Sequence, residues 1–188
     1  MASNIIKNLD NFYYHHTENK TCSNSNQHYH SGFEIYYMKE GKCHYFINDK
    51  SYDIVSGDIV LIPAGLIHGT NYGSKPCTRL LINFQNDFID KSLMSALLDI
   101  GYLYKNRETQ ALVNIIFDAI EKEYLANDDI SSASLKALTE SLVSLIIRNW
   151  KSGITREHNT IVEATIKYIQ ENYMQTIRLA EVAKILSV

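Results

Sequence analysis

Between about Tyr29 and Phe84 the chain alternates on a period of two, with β-branched and aromatic residues recurring between turn signals spaced roughly every 8 to 12 residues. A helix would show its apolar face every three to four residues, so this rhythm confines the segment to short strands of a small all-β barrel or sandwich. Candidate strands run from Phe33 to Lys39, Lys42 to Ile47, Lys50 to Val55, Asp58 to Pro63, Ile67 to Tyr72 and Arg79 to Phe84. Asn48-Asp49 and Ser56-Gly57-Asp58 are the clearest turns, because Asn, Asp and Gly tolerate the left-handed backbone of a tight reversal.

From Phe88 onward the rhythm becomes helical. Across Asn106 to Ala126, Leu112, Ile115, Ile116, Ala119, Ile120 and Tyr124 form one apolar stripe. Between Ser131 and Trp150, Leu135, Leu138, Leu142 and Leu145 keep the 3-4-3 spacing of a coiled-coil seam, while Val143, Ile146 and Ile147 widen it. This spacing fits a buried core helix and a dimer seam equally well. After a linker at 151–159, Thr160-x-x-Glu163 forms a capping box, and Ile161, Thr165, Ile169 and Tyr173 mark the packed side of the helix that follows. Another helix begins near Thr176.

Net charge is −3, and no Lys/Arg stripe is present of the kind that releases counterions from nucleic acid. No stretch stays apolar for the roughly 18 residues of a membrane span, and the first ten residues lack a signal-like apolar core, so a cytoplasmic chain with no membrane partner is expected. Cys22, Cys43 and Cys77 are odd in number and scattered, and they read as reduced thiols.

The most specific motif is His28-x-His30-(x)3-Glu34-(x)6-Gly41, joined by His68 in Gly57-(x)5-Pro63-x-Gly65-x-x-His68. Alternate strand residues share a face, so His28 and His30 would point the same way about 6.6 Å apart, close enough to chelate one cation. With Glu34 and His68 they make a three-nitrogen, one-oxygen set that Zn, Fe, Mn or Ni could accept, so a divalent transition metal is a candidate cofactor, though none is required. The same groups can hydrogen-bond a sugar hydroxyl or a carboxylate directly. Glu34, Tyr36 and Met38 alternate onto one strand face and His68, Thr70 and Tyr72 onto another, and Arg79 is a cation inside the strand region able to neutralise an anionic effector.

The two motifs resemble those of cupins, apart from Tyr72 standing where the second motif normally ends in Asn. This resemblance implies a cupin β-barrel of the double-stranded β-helix, or jelly-roll, type followed by α-helices, an α+β chain overall. The phrases Phe33-Glu-Ile-Tyr-Tyr through Gly41, Ile47-Asn-Asp-Lys-Ser-Tyr-Asp-Ile and Gly57-Asp-Ile-Val-Leu-Ile-Pro resemble the N-terminal domain of AraC/XylS-type regulators. Ile166-x-Tyr168-Ile169-x-x-Asn172-Tyr173 and Ile177-x-Leu179-x-x-Val182-Ala183-x-x-Leu186 look like the opening of that family's helix-turn-helix domain. The resemblance implies a recognition helix following Val188 and places operator DNA among the partners of the full-length protein only.

The expected organisation is an arm at 1–20, a barrel at 21–87, a helical dimerisation region at 88–151, and a linker with the first helices of a truncated DNA-binding domain at 152–188. The expected function is effector sensing and homodimerisation, without enzymatic activity. A small molecule would bind at His28, His30, Glu34, Tyr36, Met38, His68, Tyr72 and Arg79, metal would bind at His28, His30, Glu34 and His68, and Leu135, Leu138, Leu142 and Leu145 would form the seam. The competing reading is a metal-dependent cupin enzyme, a dioxygenase or isomerase, against which the helix-turn-helix-like C-terminus speaks.

Overall fold

The fold is that of a computed structural model, which describes residues 11–21, 24–48, 50–105, 107–150 and 175–185 together with Thr165, Tyr168, Ile169 and Asn172. It forms two compact units, 1–155 and 156–188. In the first unit the strands are β1 (Phe12–Thr21), β2 (Ser25–His28), β3 (Phe33–Glu40), β4 (Lys42–Ile47), β5 (Lys50–Val55), β6 (Asp58–Ile62), β7 (His68–Asn71), β8 (Pro76–Phe84) and β9 (Leu103–Lys105). Its helices are α1 (Lys91–Asp99), α2 (Gln110–Ala126) and α3 (Ser131–Asn149). In the second unit α4 spans Leu179–Ile185, and the capping box at Thr160 and Glu163 lies outside the described residues.

The strands make two antiparallel sheets, ordered β1-β8-β3-β6-β9 and β2-β7-β4-β5. Among the described residues neither sheet closes on itself, so the expected barrel is a two-sheet sandwich in its hydrogen bonding. The predicted turns reverse the chain as their chemistry requires, with Asn48 at φ 54° and Gly57 at φ 90°. The described part of the expected N-terminal arm forms an edge strand, since β1 pairs with β8 from Phe12↔Phe84 to Thr21↔Pro76. The helical region likewise sends one segment back to the first sheet, where β9 pairs with β6.

Alternation divides the apolar residues between two layers. Phe33, Ile35 and Tyr37 of β3, with Ile59, Leu61, Leu80 and Ile82, face the helices and join Phe117, Ile120, Leu142 and Ile146 in one core. Tyr36 and Met38, with Cys43, Tyr45, Ile47, Val60 and Ile62, fill the space between the sheets. The first sheet therefore carries helices on one face and the inter-sheet interior on the other.

This arrangement corrects the dimer seam. Leu135 and Leu142 are fully buried within the single chain, and Leu138 and Leu145 pack against the same core. The 3-4-3 spacing serves the contact of α3 with α2 and the sheet, because an intramolecular helix neighbour demands the same stripe as a second chain. The cysteines need a correction as well. Cys43 is a free, buried thiol, but Cys77 is disulfide-bonded. Linear spacing carries no trace of the β1–β8 ladder that determines what lies beside Cys77, and Cys22 lies outside the described residues.

Candidate functional site

The site begins with register. β2 pairs with β7 so that His28 lies opposite His68, and β3 pairs with β8 so that Glu34 lies opposite Asn83. His30 follows β2 in the connection to β3, and its ring centroid is 4.8 Å from that of His68. Donor atoms of His30, Glu34 and His68 all fall within 4.8 Å of one another, the scale that metal–ligand bonds of about 2.0–2.2 Å require. His28 adjoins this trio, its ring 4.3 Å from the His68 ring, but does not belong to the tight set. It ends an edge strand and is exposed.

Each of the three imidazoles is oriented by a backbone carbonyl two residues away. Nδ1 of His28 donates to Asn26 O at 2.9 Å, Nδ1 of His30 to Gly32 O at 2.8 Å and Nδ1 of His68 to Leu66 O at 2.8 Å. A carbonyl only accepts, so in His28 and His68 this nitrogen carries the proton and Nε2 is the atom the ring presents, whereas His30 Nδ1 also lies 3.1 Å from Asn83 Nδ2 and its Nε2 faces Glu34. Fixing Nδ1 in this way is how proteins orient metal-binding or proton-accepting histidines.

Glu34 is the anionic centre. Its Oε1 accepts from Tyr45 Oη at 2.8 Å and its Oε2 lies 3.2 Å from His30 Nε2. Burial pushes the carboxyl upward, but the His30 hydrogen bond, the neighbouring imidazoles and Tyr45 outweigh it and leave the pKa below its ordinary value. For His30, burial favours the neutral ring, yet the hydrogen bond and charge of Glu34 prevail and raise its pKa. For His68, burial prevails and the pKa falls. His68 is 2% exposed, and its Nε2 has no hydrogen-bond partner among the described residues, Glu34 Oε2 being 3.9 Å away. A buried lone pair left without a donor is uncommon and fits a site that receives a ligand or an ion.

These groups open onto a cavity of about 150 Å³ between the sheets, lined by Ser25, His28, Glu34, Tyr36, Tyr45, His68, Thr70, Tyr72, Arg79 and Leu81. Of the eight residues expected to hold an effector, six line it. His30 stands behind Glu34, and Met38 is buried in the inter-sheet core without lining the cavity. A larger cleft of about 570 Å³, lined by residues including Lys42, His44, Asp53 and Lys75, shares only Cys43's neighbour Tyr72 with this chemistry. The smaller cavity is where the functional side chains converge. Sequence reasoning missed Tyr45, Ser25, Leu81 and Asn83. Tyr45 was accessible in principle, since β4 alternates Cys43, Tyr45 and Ile47 onto one face, but its meeting with Glu34 depends on how β4 and β7 are paired.

With this geometry established, a sequence profile described as an AraC-like ligand-binding domain matches residues 13–143, which include every residue of the cavity and helices α1 and α2. The chain belongs to this AraC-like ligand-binding family. Among curated proteins no sequence match is found. Solved structures agree in fold. An apo ToxT variant from Vibrio cholerae is 14% identical, with a TM-score of 0.57 over 97% of this chain and 72% of that one. Wild-type ToxT from the same organism, bound to an unsaturated fatty acid, is 15% identical with a TM-score of 0.55 over 97% and 71%. The AraC-like transcriptional activator CuxR is 8% identical with a TM-score of 0.57 over 97% and 69%. The AraC-like chain is thus an effector-binding part of a regulator, and among its described residues no helix is long and apolar enough to cross a membrane.

Proposed function

We propose that this chain senses a small molecule in its inter-sheet cavity and, as part of an AraC-type transcription regulator, transmits occupancy to a helix-turn-helix domain that binds operator DNA. The observation that carries this reading is the two-faced first sheet. On β3, Tyr36 lines the cavity, while its neighbour Tyr37 stacks on Phe117 of α2 at 5.4 Å and donates to Asn114 Oδ1 at 2.8 Å. A ligand that favours one placement of β3 thereby favours one placement of the helices.

The unsaturated fatty acid held by ToxT is not a good guide to the effector here. The cavity is smaller than the roughly 300–1,000 Å³ usual for drug-sized ligands, and most of its lining side chains are polar. A compact polar molecule fits it better. His30, Glu34 and His68, with His28 beside them, are suited to hold a divalent transition metal, which would supply a Lewis-acidic anchor for an effector oxygen. Homodimerisation belongs to the same reading. With the α3 stripe buried, the apolar residues free to meet a second copy include Leu112 and Ile115 on α2.

The test is native mass spectrometry and heteronuclear NMR of the protein titrated with a small-metabolite extract of its source cells. The reading expects a saturable component that shifts the amides of Thr70 and Tyr45. Shifts confined to the outer surface, or turnover of the component on binding, would count against it, and turnover would favour a metal-dependent enzyme.

A further inference from the structure

We propose that the effector is a short hydroxy acid, its carboxylate held by Arg79 and its hydroxyl directed to the histidine end of the cavity. This assignment rests on the effector-binding reading and adds the chemical class.

Arg79 faces the inter-sheet interior. Its neighbours Leu80 and Ile82 belong to the helix-side core, whereas Arg79 and Leu81 line the cavity. The guanidinium lies 5.8 Å over the Tyr72 ring, and its buried Nε has no hydrogen-bond partner among the described residues. Among the described residues the two buried carboxylates are already engaged. Glu34 is bonded to His30 and Tyr45, and Asp58 is paired with Lys105 at 2.6 Å and Arg107 at 3.1 Å. Burial and then the charge of Arg79 lower the pKa of His15. A planar cation with forked donors, half-buried beside an aromatic ring and without an anionic partner among the described residues, is the arrangement that a carboxylate completes by paired charge-assisted hydrogen bonds.

The other end of the cavity supplies the complement. His68 Nε2 carries a lone pair without a donor, and a ligand hydroxyl, or a metal ion that binds such a hydroxyl, would satisfy it. Between the two ends stand the hydroxyls of Ser25, Tyr36, Thr70 and Tyr72. A cavity of about 150 Å³ holds roughly five water molecules at about 30 Å³ each, which limits the acid to a few carbons. An acyl chain of lipid length does not fit.

The experiment is isothermal titration of the purified protein with lactate and glycerate against their uncharged counterparts lactamide and glycerol, repeated on Arg79→Met and Arg79→Lys, with NMR shifts locating each site. The acids should bind in the cavity at least tenfold more tightly than the uncharged probes. Arg79→Met should erase that preference and Arg79→Lys should keep part of it. Equal binding of acid and amide, or undiminished acid binding by Arg79→Met, overturns the proposal. Cavity binding of glycerol alone overturns the acid assignment while leaving the effector reading standing. Binding of none of the four also overturns it, and the metabolite-extract titration then judges the effector reading separately. If Arg79→Met does not fold, the acid-to-amide ratio of the wild-type protein decides.

Discussion

His68 points Nε2 at Glu34 Oε2 across 3.9 Å, with its Nδ1 proton committed to the Leu66 carbonyl. The gap is too long for a hydrogen bond, and both atoms offer electron pairs rather than protons when the ring is neutral. An ion, a ligand donor or a bridging water between the two atoms would complete the contact. The consequences can be measured.

Divalent metal uptake should depend on the tight trio. His30→Gln or His68→Gln should weaken Zn, Mn or Ni binding by more than the roughly 10–100-fold that loss of an outer partner costs, and His28→Gln should weaken it less. Competition titration with a chromophoric chelator provides the check. Uptake unchanged by His68→Gln would remove the metal from the account.

In chelator-treated protein His30 should protonate at higher pH than His68. His30 is raised from 6.5, so its contribution to stability is complete below that value and is lost as pH rises through its folded pKa. His68 is lowered from 6.5, so its contribution is present above 6.5 and declines as pH falls toward its folded pKa. Glu34 is lowered from 4.5, and its contribution is present above 4.5 and lost as pH falls through its folded pKa. The His30–Glu34 pair is accordingly most stabilising from 4.5 to 6.5. Imidazole resonances followed by NMR settle the order, and coincident or reversed titrations would contradict it.

Gly32→Ala should disturb the site from outside the cavity. An added Cβ would collide with Asn83 Oδ1 and sit 2.8 Å from Phe84 O, while the Gly32 carbonyl is the group that orients His30. Forcing such a contact costs about 1–3 kcal/mol. Chemical denaturation should show a loss of that size together with weaker metal binding, and a wild-type melt would refute the packing described.

Leu142→Ala should cost about 2–5 kcal/mol, as expected for a fully buried leucine, at any protein concentration. A dimer seam would make the loss concentration-dependent. Denaturant melts at two widely separated protein concentrations distinguish the two.

Much of the fold was legible in the sequence because its hairpins carry their own turn chemistry. β4 and β5 match the predicted spans, and Asn48 and Gly57 adopt the left-handed backbone expected of them. β1 was not legible because it has no apolar contrast. Phe12, Tyr14 and His16 face the helices and Tyr13 and His15 face away, so aromatic and imidazole rings stand on both sides. The polar β2 escaped for a related reason, as it is an edge strand and three of its four residues are exposed. At the site, Glu34 and the histidines could be named from spacing alone. Tyr45, Asn83 and the unpartnered state of Arg79 Nε and His68 Nε2 are properties of cross-strand register and enclosure, which no linear pattern encodes. The α3 stripe shows the converse limit, since one spacing serves two partners and only the burial of Leu135 and Leu142 chooses between them.

The most direct test fills the cavity in the native protein. Leu81→Trp places an indole in the inter-sheet space, and transcript levels in the source cells are compared with those of wild-type and deletion strains, after immunoblotting has confirmed equal protein abundance. The account expects the filled protein to change the same transcripts that the deletion changes and to lose their response to growth conditions. Wild-type transcript levels and responses in the Leu81→Trp strain would contradict it.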